Sequence, residues 1–125
     1  MPKDEELMGA TPEEGKISIS RDVIATIAGL AATDVAGIAP PKGGAMPRGE
    51  AVRRLVEVEL SEDRLKLALK VGVVYGHAVQ EVAQRIQTKI KSEVEKMTAL
   101  SVDEVNVEVV RVVFPEEERP REKQT

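Results

Sequence analysis

His77 is the only imidazole in the chain, and it stands beside Gly76 where a helix would begin. A general base needs a partner that positions it, and nothing nearby in sequence supplies one. His77 therefore reads as a polar residue of a first helical turn. Glu57 and Glu59 are two apart, so on a strand they share a face. Paired carboxylates can do acid–base work or bind a metal, but Lys66 is placed to neutralise one of them. Lys42-Gly43-Gly44 has the residues of a phosphate loop without the G-x-x-x-x-G-K-S/T spacing, and it does not lead from a strand into a helix. There is no Cys, which excludes disulfides, thiolate metal sites and Cys nucleophiles. A single His excludes a multi-histidine metal site. The sequence thus assigns no catalytic residue, no metal ligand and no cofactor-binding residue.

Lys42, Arg48, Arg53 and Arg54 gather around one broken segment and offer RNA a basic contact. The supporting signals are weak. An hnRNP-type domain stacks bases on exposed aromatics, and this chain has only Tyr75 and Phe114. A KH-type domain needs a G-x-x-G loop, which residues 43–49, G-G-A-M-P-R-G, do not contain.

The elements that would position these residues follow from composition and periodicity. At 125 residues and 13.6 kDa, one domain is expected. With 42% hydrophobic but 2% aromatic residues, the core must be aliphatic, and 18 valines favour strands. The net charge of −4 sits in the ends. Residues 1–15 carry one Lys against five acids, whereas residues 16–114 hold 14 basic against 13 acidic side chains. That neutral body lacks the basic stripe of a nucleic-acid binder. Residues 1–14 and 115–125 read as disordered charged tails. The acidic start does not resemble a signal peptide, and no run approaches the ~20 apolar residues of a membrane span. A cytoplasmic protein without direct membrane insertion is expected.

Lys16-Ile17-Ser18-Ile19-Ser20 alternates and predicts a short strand. Ser20 is a helix cap, and Val23, Ile24, Ile27, Leu30 and Ala31 form one stripe of a slim helix ending near Gly37. Residues 40–52, rich in Pro and Gly, predict a flexible loop. Residues 54–60 and 65–71 alternate around Ser61-Glu62-Asp63-Arg64 and predict a hairpin. Its register sets Leu60 against Leu65, Val58 against Leu67, Val56 against Leu69 and Glu59 against Lys66. A long helix is predicted over 77–98, on the stripe Val79, Val82, Ala83, Ile86, Ile90, Val94 and Met97. A last strand covers 105–114 and stops at Pro115. The order is β-α-β-β-α-β, and the fold class α/β (α+β): a two-layer sandwich over residues 15–114, with two helices on one face of a mixed sheet. If Val105, Val107 and Val109 face the helices, then Val110, Val112 and Phe114 join Val74 on the open face. That apolar patch is expected to mediate self-association.

Two segments resemble a known family. They are G-K-I-S-I-S-R-D-V-I-A-T-I-A-G-L-A-A-T-D-V-A-G-I-A, residues 15–39, and V-V-Y-G-H-A-V-Q-E-V-A-Q-R-I-Q-T-K-I-K-S-E-V-E-K-M-T-A-L-S-V-D-E-V-N-V-E-V, residues 73–109. With the hairpin between them they are similar to the alkaline shock protein family, the envelope stress response family of Gram-positive bacteria. Tyr75-Gly76, Met97-Thr98 and Val105-Asn106-Val107 are the most specific pieces. The family usually has Gly after the Met-Thr pair, where this chain has Ala99; a left-handed residue there would cost Ala about 1 kcal/mol relative to Gly. The resemblance implies a non-enzymatic, cytoplasmic interaction protein tied to envelope homeostasis and alkaline or general stress. It implies protein partners, including a small membrane protein that holds some members beneath the membrane. It also implies a link of some members to fatty-acid synthesis, so regulation of a lipid-synthesis enzyme stands as one alternative to a self-associating scaffold. RNA binding through Lys42, Arg48, Arg53 and Arg54 stands as another, from the element order and those basic residues rather than from the resemblance. The resemblance carries over no catalytic residue and no cofactor.

Overall fold

The computed structural model describes residues 15–115. Both expected tails, 1–14 and most of 115–125, lie outside the described residues. The elements are α1 (Arg21–Thr33), β1 (Ile38–Ala39), a 3-10 helix (Gly49–Leu55), β2 (Val56–Ser61), β3 (Arg64–Val74), α2 (Val79–Thr98) and β4 (Ser101–Val113). The fold class is α+β, with both helices packed on one face of a four-stranded mixed sheet.

The central strand is β3. Along one side it pairs antiparallel with β2 and, at its far end, with the two residues of β1. Along the other it pairs in parallel with β4. The hairpin has the expected register: Leu60 opposes Leu65, Val58 opposes Leu67, Val56 opposes Leu69 and Glu59 opposes Lys66. Alternation places Leu65, Leu67, Leu69, Val71 and Val73 beneath the helices, all at most 4% exposed. Above them α2 sets Val82, Ile86, Ile90 and Val94, spaced by four, and α1 sets Ile24, Ala25, Ala28, Ala31 and Ala32. Burying each large aliphatic side chain stabilises the fold by about 1.5–3 kcal/mol.

Ser20 caps α1, its hydroxyl accepting the Val23 N–H at 3.2 Å. The strand expected over 16–20 does not form; among the described residues, 16–20 join no ladder. Both sides of β3 are already occupied, by β4 on one and by β2 and β1 in succession on the other. Ile19 packs against the core without joining a ladder.

The loop expected over 40–52 also needs correction, because its last part is regular. The 3-10 helix Gly49–Leu55 buries Val52 to 1% exposure against α1. Gly29 permits that approach: a Cβ there would stand 2.4 Å from the Val52 carbonyl oxygen. The earlier part of the segment folds beside the open sheet face, where Gly43 approaches the Arg111 guanidinium and the Pro40 carbonyl lies over Gly72.

The chain leaves α2 through Ala99, whose φ of 63° is left-handed. Thr98 is buried there. Its hydroxyl donates to the Val94 carbonyl at 2.7 Å and accepts the Leu100 N–H at 3.1 Å, so both hydroxyl roles are filled.

Candidate functional site: the edge of strand β4

Strand β4 is 13 residues long and, among the described residues, has a neighbouring strand on one side only. A long open edge presents a row of unpaired N–H and C=O groups, a template for another strand. Part of this one is covered. From α2, the Gln87 amide donates to the Val105 carbonyl at 2.9 Å and the Lys91 ammonium to the Val102 carbonyl at 3.1 Å. Glu95 accepts the Val102 N–H at 2.9 Å. Residues 87, 91 and 95 are spaced by four and form one row along the helix. The row satisfies backbone groups of β4 from Val102 to Val105 and stops there.

Two extra residues break the register of β4 against β3. The first shift lies between Leu65–Val102 and Lys66–Glu104, where Asp103 is the additional residue. Its carboxylate takes two hydrogen bonds from the Arg64 guanidinium, at 2.7 and 2.9 Å. That contact, with the attraction of the same carboxylate, raises the Arg64 pKa above its ordinary value. The second shift lies between Val71–Val109 and Gly72–Arg111, where Val110 is the additional residue.

The second bulge corrects the expected patch. Val110 lies beside an open-face groove with Ala68, Lys70 and Glu108, and Val74 also belongs to the open face. Past the bulge, however, Val112 pairs with the inward-facing Val73, while Val113 pairs with Val74. Val112 therefore shares the helix side of the sheet, and Phe114, two residues on, follows it. Val113 takes the open-face position and is 5% exposed. Val74, Val110, Val112 and Phe114 thus do not share one face. Val110, Val112 and Phe114 remain 42%, 42% and 44% exposed at the end of β4. Phe114 stacks on Tyr75 with ring centroids 5.1 Å apart.

The open face carries charge in rows. Glu59 opposes Lys66, which opposes Glu104, and Lys70 opposes Glu108. A groove of about 590 Å³ on this face brings Lys42 and Arg54 together with Lys70, balanced by Glu57 and Glu108. Glu57 and Glu59 stay exposed. His77 is also exposed, its ring lying against Gly37. Among the described residues no group of three or more His, Cys, Asp or Glu is placed to hold a metal ion. Among them, too, no helix is long and apolar enough to cross a membrane.

The covered half of the edge was findable as a Gln-Lys-Glu row at helical spacing; it reads in sequence only as a solvated helix face. The bulge at Val110 had no such signal, since Val occupies both phases of residues 109–113.

Residues 9–114 match the alkaline shock protein 23 family, described as having a cell envelope-related function. The chain is 32% identical to the uncharacterized protein YqhY of Bacillus subtilis over 121 residues, spanning 90% of each chain. It is 38% identical to the uncharacterized protein YloU of the same organism, over 81% of this chain and 92% of that one. A stress response regulator gls24 homolog of Streptococcus pyogenes is 31% identical over 82% of this chain and 62% of its own length. Among solved structures, Era in complex with MgGDPNP and a fragment of 16S ribosomal RNA matches 95% of this chain and 39% of its own at 18% identity. Its TM-score of 0.41 is too low to bear on fold or function.

Proposed function

The chain belongs to the alkaline shock protein 23 family of cell envelope-related function, and from that premise we propose that it is a non-enzymatic interaction protein of the envelope stress response. It works in the cytoplasm by protein–protein contact, with copies of itself and with a partner that ties it to the envelope; a small membrane protein would serve. The observation that carries this reading is the second half of β4. There a strand edge lies beyond the reach of the α2 row, and Val110, Val112 and Phe114 stand at least 42% exposed around it. An exposed edge flanked by apolar side chains favours association with another chain.

The test is light scattering on the full chain at increasing concentration, beside a Val112→Lys, Phe114→Asp double variant. The parent is expected to form oligomers and the variant to remain monomeric with unchanged helix and sheet content. A parent that stays monomeric at high concentration, or a variant that keeps its assembly, refutes the reading.

A further inference from the structure

We infer that β4 pairs edge to edge, antiparallel, with β4 of a second copy, in a register that sets Val109 opposite the partner's Val112. The inference rests on the self-association reading and adds its geometry. Backbone groups along a strand point alternately to its two sides. Val102 and Val105 use theirs toward α2, so they face outward. Val107 and Val109 then face outward by alternation. Beyond the bulge the Val113 carbonyl accepts the Tyr75 N–H at 2.7 Å, so Val113 faces β3 and Val112 and Phe114 face out. The outward set past the covered half is 107, 109, 112 and 114.

This spacing is self-complementary. In an antiparallel pair, residues that exchange both hydrogen bonds stand directly opposite. Setting 109 against the partner's Val112 also sets 107 against the partner's Phe114, and the two-fold axis repeats both pairs. The three-residue step from 109 to 112, created by Val110, meets the same step running the other way. No other two-fold register matches all four outward residues of each strand.

The side chains agree. On the helix side this register makes two Val–Val and two Val–Phe pairs, with no charge buried opposite an apolar group. Aromatic–β-branched and β-branched pairs are favourable across strands, by roughly 0.2–1 kcal/mol each. Val107 and Val109 are partly buried against the core, while Val112 and Phe114 are 42% and 44% exposed. Each half-buried valine would thus receive an exposed apolar partner. The α2 row excludes a longer overlap, because Gln87, Lys91 and Glu95 already hold Val102 and Val105. The two-fold relation closes on itself and yields a dimer with one continuous sheet.

The absence of Cys makes the register directly testable. Directly opposed, hydrogen-bonded antiparallel residues have Cα atoms about 5.5 Å apart, within disulfide reach. Val109→Cys and Val112→Cys chains are prepared separately, mixed in equal amounts and oxidised mildly. The mixture is expected to give a covalent dimer, and neither chain alone is, since like positions lie three residues apart. A Val109→Pro variant removes an outward N–H without touching the β3 ladder; it is expected to keep its fold and lose the dimer. Cross-linking of Val109→Cys alone overturns this register. Oligomers that persist in Val109→Pro without mixed cross-links overturn edge pairing and leave the scaffold reading standing. A monomeric parent overturns both. A dimer that appears only when residues 116–125 are removed means the chain's own end occupies the edge, and also overturns the proposal.

Discussion

Glu95 accepts the backbone N–H of Val102 at 2.9 Å, so the last turns of α2 grip the first residues of the strand that follows. The same carboxylate lies 3.4 Å from the Lys91 ammonium, whose other contact is the Val102 carbonyl. One ion pair thereby holds both backbone groups of one residue.

That grip is pH-dependent. The backbone hydrogen bond from Val102 holds the Glu95 carboxyl below the usual range; desolvation opposes this and Lys91 adds to it. A depressed folded-state pKa gives stability that is complete above the unfolded value, about 4.3 for Glu, and that is lost as pH falls through the folded value. Urea midpoints of the parent are expected to fall more steeply below about pH 5 than those of Glu95→Gln. Parallel slopes would show that the contact does not form in solution.

Ala99→Gly is expected to stabilise the protein. Ala99 sits at φ 63°, where an L side chain is strained and Gly is not. The expected gain is about 1 kcal/mol, a rise of roughly 4 °C or more in melting temperature. Differential scanning calorimetry measures it, and no change or a loss would contradict the left-handed assignment.

Gly29→Ala is expected to destabilise, although Ala is the better helix former by about 1 kcal/mol. The added methyl would meet the Val52 carbonyl carbon and oxygen at 2.8 and 2.4 Å, and backbone cannot rotate aside as a side chain can. Overpacking of this kind costs about 1–3 kcal/mol, so the net effect is a loss. Chemical denaturation checks the sign; a gain would mean that the 3-10 helix shifts freely.

Lys66→Glu places three carboxylates side by side across the sheet, since Lys66 opposes both Glu59 and Glu104. All three residues are exposed, so the penalty should be modest, about 0.2–1 kcal/mol for each like-charge neighbour. It should shrink in high salt, because exposed charges are screened. A loss of stability insensitive to salt would point to packing instead.

Most of the sheet was legible because its signals are local. The hairpin register follows from two alternating runs around a short turn, and a one-residue slip would expose Leu65, Leu67 and Leu69 together. The α2 stripe and the Ser20 cap are equally local. The 16–20 strand failed for a tertiary reason: Ile17 and Ile19 have strand periodicity, but β3 has no vacant side to receive them. The 3-10 helix was hidden by Pro and Gly upstream of Val52. Of the expected site, the exposed residues at the end of β4 were readable and their faces were not. Val109-Val110-Arg111-Val112-Val113 offers apolar residues at both phases, so only pairing with β3 decides which of them turn inward.

The bulge at Val110 has an evolutionary corollary. In most strands a change of register moves core and surface together and is punished at once. Here the central strand supplies Leu65, Leu67, Leu69, Val71 and Val73 to the core, and the outer strand past residue 109 buries only Val113 among the described residues. Loss of a single codon at position 110 would remove the bulge and restore plain alternation while Val112 stays opposite Val73 and Val113 opposite Val74, so Val112 and Phe114 keep their face. One deletion would thus leave the adhesive side chains in place and even out the spacing of the strand edge, giving relatives of this chain a short mutational path to different pairings on an unchanged scaffold.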